Sequence, residues 1–115
     1  MITAKFENKG TYGIISVEGE VNILNNNEFK SIFNEAFNAN QYKIIVNFSK
    51  TTYIDSSAIS VIISSRNAIV AKNGIITFCC LPVTIEKVFG IIGFKGVVNF
   101  FKTLEEAVAY IESKK

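Results

Sequence analysis

Residues 43–74 read KIIVNFSKTTYIDSSAISVIISSRNAIVAKNG, and this stretch decides the fold of the chain. It begins with Lys43–Phe48, a short run rich in β-branched and aromatic residues that is typical of a buried central strand. A polar loop is predicted over Ser49–Ser56, and a helix is predicted over Ser57–Lys72, ended by Asn73-Gly74. A buried strand that leads through a loop into a helix indicates a parallel α/β sheet.

On the N-terminal side of this stretch, the sequence predicts a hairpin followed by a helix. Ile2–Glu7 and Tyr12–Glu18 are predicted strands, because turn residues separate two runs of strand-forming residues. An asparagine-rich loop, Asn22–Asn27, comes next. The helix after it has one apolar face with helical spacing, formed by Phe29, Ile32, Phe33, Ala36 and Phe37.

On the C-terminal side, strands and helices continue to alternate. Ile75–Cys80 is a predicted strand, Val83–Ile92 a short helix and Val97–Phe101 a last strand. A capping box over Thr103–Glu106 begins a final helix, whose inner face is formed by Leu104, Ala107, Val108 and Ile111.

The resulting order, β-β-α-β-α-β-α-β-α, predicts one α/β domain over residues 1–115. We expect a mixed, mostly parallel sheet of about five strands with an N-terminal β-hairpin, packed by about four helices. Sites in such sheets lie at the carboxyl ends of the parallel strands. The candidate loops are therefore Gly19–Asn27 and Ser49–Ser56.

Composition narrows the classes of function. The 115 residues are 49% hydrophobic and carry a net charge of +2 without a dense basic cluster, so we expect no direct binding of nucleic acid. The absence of histidine excludes Ser-His-Asp catalysis and most zinc sites. We accordingly predict no catalytic residue, no metal and no cofactor.

The cysteines and the apolar runs indicate a cytoplasmic protein. Cys79 and Cys80 are adjacent, and neighbours on a strand point to opposite faces, so we expect two reduced cysteines, one of them buried. No run reaches the 18 apolar residues of a membrane span, and the N-terminus has no apolar signal core.

The start of the predicted second helix allows two interpretations. In the simpler one, Asp55 or Ser56 caps the free N–H groups of the first turn and has no other role. In the other, a serine of this first turn carries a phosphoryl group, whose charge of about −2 a helix N-terminus tolerates. A partner that packs there would have to bury this charge or clash with it. A free-energy penalty of about 3 kcal/mol would weaken its binding roughly a hundredfold.

The same helix carries a stripe of small, uncharged residues that starts at Ser57. At 100° per residue, the stripe comprises Ser57, Ser60, Ser64, Asn67 and Ala71, with Val61 and Ala68 beside it. The opposite arc is the predicted core face, formed by Ile59, Ile62, Ile63, Ile69 and Val70. The stripe either contacts a partner protein or packs against another element of the same domain.

The segment Asp55-Ser56-Ser57-Ala58-Ile59 resembles the phosphorylation motif of the STAS family, in particular of bacterial anti-sigma-factor antagonists, which has the pattern Asp-Ser-[Ser/Thr]-Gly-aliphatic. Gly19-Glu20-Val21-Asn22 resembles the family's Gly-Glu-aliphatic-Asp segment. The element order matches over essentially the whole chain. Two positions depart from the family pattern: Ala58 replaces the usual Gly, and Asn22 replaces the common Asp.

The resemblance implies a partner switch controlled by phosphorylation. The unphosphorylated antagonist would bind an anti-sigma factor with serine kinase activity and so free a sigma factor, and a PP2C-type phosphatase would reverse the modification. Ser57 would be the phosphoacceptor, supported by Asp55, Ser56 and Asn22. The expected partner-binding residues are Ser60, Val61, Ser64 and Asn25. The protein would be a monomer and a substrate of the kinase rather than an enzyme.

Two other functions stay open. A STAS protein can act without phosphorylation, as a scaffold or as an accessory subunit of a lipid transporter, and a neutral Ser57→Asp phenotype would favour that function. An enzyme with Ser57 as nucleophile would need a base within reach. The chain has no histidine, no Gly-x-Ser-x-Gly elbow and no glycine-rich phosphate loop to support this third function.

Overall fold

A computed structural model describes residues 2–91, 93, 96 and 98–114 of the chain. Within these residues, nine helices and strands follow one another in the predicted order. They are β1 (Ile2–Asn8), β2 (Gly13–Val21), α1 (Asn26–Asn38), β3 (Lys43–Ile54), α2 (Ser56–Ala71), β4 (Ile75–Cys79), α3 (Val83–Ile91), β5 (Asn99–Phe101) and α4 (Leu104–Glu112). The predicted end of the third helix, Ile92, and the predicted start of the last strand, Val97, lie outside the described residues.

The strands form one mixed sheet in the sequential order β1-β2-β3-β4-β5. The hairpin pair β1–β2 is antiparallel, and the other three pairs are parallel. The predicted fold class is therefore confirmed. Since β2 and β3 run in the same direction, Val21 pairs with Ile54 and their following residues leave the sheet side by side.

The helices divide unequally between the two faces of the sheet. Helices α1, α2 and α3 pack on one face with the inward side chains of the strands, including Ile15, Val46 and Phe78. Of the described helices, α4 is the one that covers the other face, where Ala107 and Ile111 belong to a smaller cluster. The capping box predicted for α4 is present, because Thr103 and Glu106 each accept a hydrogen bond from the other's backbone N–H.

Strand β3 is longer than predicted, and the expected loop over Ser49–Ser56 is mostly strand. Its pairing with β2 continues to Ile54, with register shifts opposite Ser16–Glu18 and Gly19–Glu20. Each shift places an extra residue on β3, as a β-bulge does. The bulges break the alternation of polar and apolar residues, which is why this polar segment looks like a loop in the sequence.

The predicted core face of α2 is partly wrong. Ile62 and Ile69 are buried, but Ile63 and Val70 are 40% and 45% exposed. The buried line is completed by Ala58 and Ser65. Because α2 is apolar on more than one side, its own periodicity does not specify which side meets the sheet.

The two cysteines also differ from expectation. Both are free, and Cys79 is buried, as predicted. However, β4 ends at Cys79, and Cys80 adopts a left-handed backbone with φ of 62°. Cys80 consequently packs against the same small cluster as Cys79 instead of pointing to the opposite face.

Among the helices of the described residues, none combines the length and the apolar character needed to cross a bilayer.

Candidate functional site

Asp55 is the N-cap of α2 and stands at the end of β3. Its backbone N–H donates to the carbonyl oxygen of Val21 at 3.1 Å, which ties the residue to the end of β2. Its Oδ1 accepts from the Ala58 N–H at 3.1 Å, a bond that satisfies one of the free donors of the first helical turn. The predicted capping role of Asp55 is therefore present, whereas Ser56 is the first residue of the helix.

Ser57 lies in the first turn of α2, directly against Asp55. Its hydroxyl donates to Asp55 Oδ1 at 2.5 Å, and the residue is partly exposed. This hydrogen bond is the main cause that lowers the pKa of Asp55 below its usual value of 3.8. Backbone N–H groups of Ala58, Ile23 and Ser57 act in the same direction, while desolvation opposes them.

The second oxygen of Asp55 holds the neighbouring loop. Asp55 Oδ2 accepts from the Ile23 N–H at 3.0 Å, so one carboxylate joins the start of α2 to the β2–α1 connection. The loop is closed internally by Asn22, whose Oδ1 accepts from the Leu24 N–H at 2.9 Å. The structure thus brings Asn22, Asp55 and Ser57 to one edge of the sheet.

Asn25, an expected partner-binding residue, holds the loop together through its side chain. Its side-chain oxygen accepts from the Asn22 N–H, and its side-chain NH₂ donates to the Glu20 carbonyl oxygen, both at 2.9 Å. Gly19, just before this segment, has φ of 97°, a conformation that glycine adopts readily and other residues rarely do. The Gly-Glu-Val-Asn segment therefore shapes the loop that Asp55 binds.

Two exposed apolar residues beside Asp55 were missed by the sequence reasoning. Ile23 and Leu24 are 74% and 92% exposed, and both belong to the loop held by Asp55. Tyr53, two residues before Asp55, is 49% exposed. The sequence did contain a sign of this exposed apolar surface, because Ile23 and Leu24 interrupt the predicted asparagine-rich loop Asn22–Asn27.

An open groove of about 520 Å³ runs between α1 and α2 next to Ser57, and we call it the α1–α2 groove. Its α2 wall contains the three predicted partner-binding residues of that helix, and consists of Ser57, Ser60, Val61, Ser64, Ser65 and Ala68. Its α1 wall consists of Asn26, Asn27, Lys30, Asn34 and Phe37. Ser57, Ser60 and Ser64 of the small stripe thus line this groove opposite α1, whereas Asn67 and Ala71 do not.

The geometry offers a hydroxyl, a carboxylate and backbone N–H groups, but little that would bind a metal. In the part of the chain that the structure describes, no three cysteine, aspartate or glutamate residues lie together as a metal site would require. Ser57 is partly exposed, so another protein can reach its hydroxyl, and a charged modification of that hydroxyl would change the surface charge at the start of α2.

The sequence matches the STAS domain family over residues 4–107, and the chain belongs to that family. None of the curated proteins is significantly similar to it in sequence.

Three solved structures illustrate the similarity. The Thermotoga maritima protein TM1081 is 24% identical with a TM-score of 0.88, covering 95% of this chain and 94% of its own. The phosphorylated form of the Bacillus cell fate determinant SpoIIAA is 22% identical with a TM-score of 0.76, covering 95% and 99%. A sulfate transporter family protein from Wolinella succinogenes is 13% identical with a TM-score of 0.74, covering 86% and 83%. At these identities the likeness concerns the fold.

Proposed function

We propose that this protein is an anti-sigma-factor antagonist whose binding is switched by phosphorylation of Ser57. In the unphosphorylated state it binds an anti-sigma factor with serine kinase activity and so controls a sigma factor. The kinase phosphorylates Ser57 and the complex dissociates, and a PP2C-type phosphatase restores binding. Similarity in fold to SpoIIAA, an anti-sigma factor antagonist solved in unphosphorylated and phosphorylated forms, supports this function.

The observation that carries the proposal is the position of the Ser57 hydroxyl. It is partly exposed in the first turn of α2 and donates to Asp55 Oδ1 at 2.5 Å. The helix dipole favours a phosphoryl group at the start of a helix, while the ionised Asp55 carboxylate beside Ser57 repels it. The phosphoserine can no longer donate to Asp55, and its charge faces whichever protein packs on this surface.

The partner surface in this proposal has two parts. Ser60, Val61 and Ser64 offer small side chains that let another protein approach closely, and Ile23 and Leu24 offer apolar area on the adjacent loop. Full removal of an apolar side chain of this size from water contributes about 1.5–3 kcal/mol, against which the costs of association are set. Asp55 and Asn22 hold the loop in place, and Ser56 supports the phosphosite. Asn25 belongs to the partner surface and also holds the loop through its side chain.

The test is a comparison of Ser57→Ala and Ser57→Asp as bait proteins in an extract of the native organism, with captured proteins identified by mass spectrometry. We expect an anti-sigma factor with a kinase domain to bind Ser57→Ala and to be lost with Ser57→Asp. Ser49→Asp is the matched control, because it adds the same charge at an exposed serine outside the α1–α2 groove.

Equal capture by all three baits would refute the switch. If the shared partners were transporter subunits, the chain would act as a scaffold or accessory subunit, the function that needs no phosphorylation. Purified kinase with radiolabelled ATP gives the second readout: Ser57 must be the labelled residue, and Ser57→Ala must abolish labelling.

A further inference from the structure

We propose that the α1–α2 groove binds an acidic amphipathic helix of the partner protein, recognised by Lys30 and by the hydroxyl of Ser65. This inference deepens the proposed function and rests on it for the effect of phosphorylation, but the surface itself does not depend on Ser57 being modified. Neither Lys30 nor Ser65 follows from the phosphorylation motif.

Ser65 is the first observation that indicates a ligand. The residue is only 6% exposed, yet it lines the groove. Its hydroxyl makes no hydrogen bond with any other described residue. Every fully buried side-chain oxygen or nitrogen in the described parts of the chain has a partner, so this hydroxyl retains access to the groove. An unpaired polar group in a largely buried position is costly unless a ligand or water satisfies it.

Lys30 is the second observation. It is exposed on the α1 wall and is the single charged residue among those that line the groove. Of the ion pairs between described residues, both join β1 and its turn, and neither includes Lys30. A carboxylate from a partner would be its natural complement, since charge-assisted hydrogen bonds are shorter and stronger than neutral ones.

The dimensions of the groove favour a helix as the occupant. Its α2 wall extends from Ser57 to Ala68, which at 1.5 Å per residue is about 16 Å, or three helical turns. Ser60, Ser64 and Ala68 are small, and small residues let two helix backbones approach closely. Val61 and Phe37 supply the apolar contact that an amphipathic helix requires.

Phosphorylation would make one end of this groove strongly negative. Lys30 is the only charged residue among the described residues of the lining, the Asp55 carboxylate lies beside Ser57 at 2.5 Å from its hydroxyl, and a phosphoryl group on Ser57 adds about −2. An acidic helix that pairs with Lys30 in the unmodified protein is repelled by the phosphoserine. The loss of the partner then follows from the charge at one end of the groove, without a change of fold.

The experiment uses a displayed library of three-turn amphipathic helices with randomised polar positions, selected on the unphosphorylated protein. We expect the selected helices to be enriched in Asp and Glu. We expect Lys30→Gln to weaken a selected helix about tenfold, and Lys30→Glu to weaken it further. Ser65→Ala should weaken it severalfold, and binding should shift the amide NMR signals of Ser65, Ala68 and Asn34.

Lys87→Glu on α3 is the matched control, since Lys87 is exposed and does not line the groove. The affinity of this variant for a selected helix should stay within twofold of the wild-type value. Thermal melts of all variants exclude misfolding as the cause. Selected helices that are neutral or basic, that bind outside the groove, or that are indifferent to Lys30 would overturn the inference, as would a library without binders. The experiment needs no kinase, so its result is independent of whether Ser57 is phosphorylated.

Discussion

Asp55 joins two segments of the candidate site through its two carboxylate oxygens. Oδ1 accepts from Ala58 N–H and from the Ser57 hydroxyl, whereas Oδ2 accepts from Ile23 N–H. The first pair of bonds is local to the start of α2, and the third spans 32 positions of the chain. A change at Ser57 therefore alters the hydrogen bonds of the Asp55 carboxylate, which also holds the loop that contains Ile23 and Leu24.

We predict that Ser57→Ala raises the pKa of Asp55 toward 3.8. The Ser57 hydroxyl is the largest of the causes that lower this pKa, and alanine removes it. A carboxyl-carbon NMR titration of the two proteins measures the shift. Ser60→Ala is the control, because the Ser60 hydroxyl donates to the Ser56 carbonyl oxygen and not to Asp55. An unchanged pKa in Ser57→Ala would show that the hydrogen bond does not persist in solution.

The direction of this shift also predicts how stability depends on pH. The pKa of Asp55 is lower in the folded state than its usual value of 3.8, so ionised Asp55 stabilises the fold above that pH. This contribution is lost as the pH falls below 3.8 and through the folded-state pKa. In urea unfolding, the difference in stability between wild type and Ser57→Ala should therefore be larger at pH 6 than at pH 2.5.

The cysteines give another prediction for single residues. Burial is the main cause that raises the pKa of the Cys79 thiol, which keeps it protonated and unreactive, whereas Cys80 is partly exposed. Iodoacetamide should alkylate Cys80 in the native protein and both cysteines in urea, as read by mass spectrometry of the peptides. Equal labelling of both in the native protein would contradict the structure at the end of β4.

At the scale of elements, the end of α2 depends on one close contact. Lys72 caps the helix, Asn73 has φ of 59°, and the Gly74 N–H donates to the Ile69 carbonyl oxygen at 2.9 Å. A Cβ at position 74 would lie 2.1 Å from the carbonyl oxygen of Tyr42, which is backbone and has little freedom to move. This contact sets where β4 begins beside β3.

We therefore predict that Gly74→Ala destabilises the protein by about 1–3 kcal/mol, the usual range for overpacking. Urea unfolding monitored by circular dichroism measures it. Gly90→Ala is the control: a Cβ there meets nothing within 4 Å, and alanine favours the helical conformation of that residue. A destabilisation of Gly90→Ala as large as that of Gly74→Ala would argue against the contact with Tyr42 as the cause.

At the scale of the whole molecule, a group of phenylalanines joins the last strands to α3. The Phe78 ring centroid lies 5.9 Å from that of Phe48 and 5.6 Å from that of Phe100, and it meets Phe89 at 5.6 Å. Removal of such a fully buried ring costs about 3–5 kcal/mol. That is a large share of the 5–15 kcal/mol that stabilises an ordinary domain.

We predict that Phe78→Ala lowers the free energy of unfolding by about 3–5 kcal/mol. Phe101→Ala is the control for the opposite face, because Phe101 is only partly buried and lies 5.1 Å from Tyr110 between ring centroids. The free energy of unfolding should fall clearly less in Phe101→Ala than in Phe78→Ala. Equal losses in the urea unfolding of the two variants would mean that the sheet does not have one dominant core and one minor core.

That residues 1–115 act as one monomeric domain stays a prediction. The radius of gyration is 12.8 Å, close to the value of about 13 Å expected for a compact domain of this length. Sedimentation of the purified chain measures its mass in solution and so tests whether it is a monomer.

The sequence alone determined those features that depend on neighbours in the chain. The order of strands and helices follows from apolar periodicity, and the helix starts at Asp55 and Thr103 follow from capping chemistry, which acts within three or four residues. Contacts between distant residues were decided only by the tertiary structure. The pairing of β2 with β3 extends the strand to Ile54, the sheet selects which side of α2 is buried, and the folded chain brings Asp55 to Ile23. These outcomes depend on which surfaces meet across the chain, and local propensities do not encode that choice.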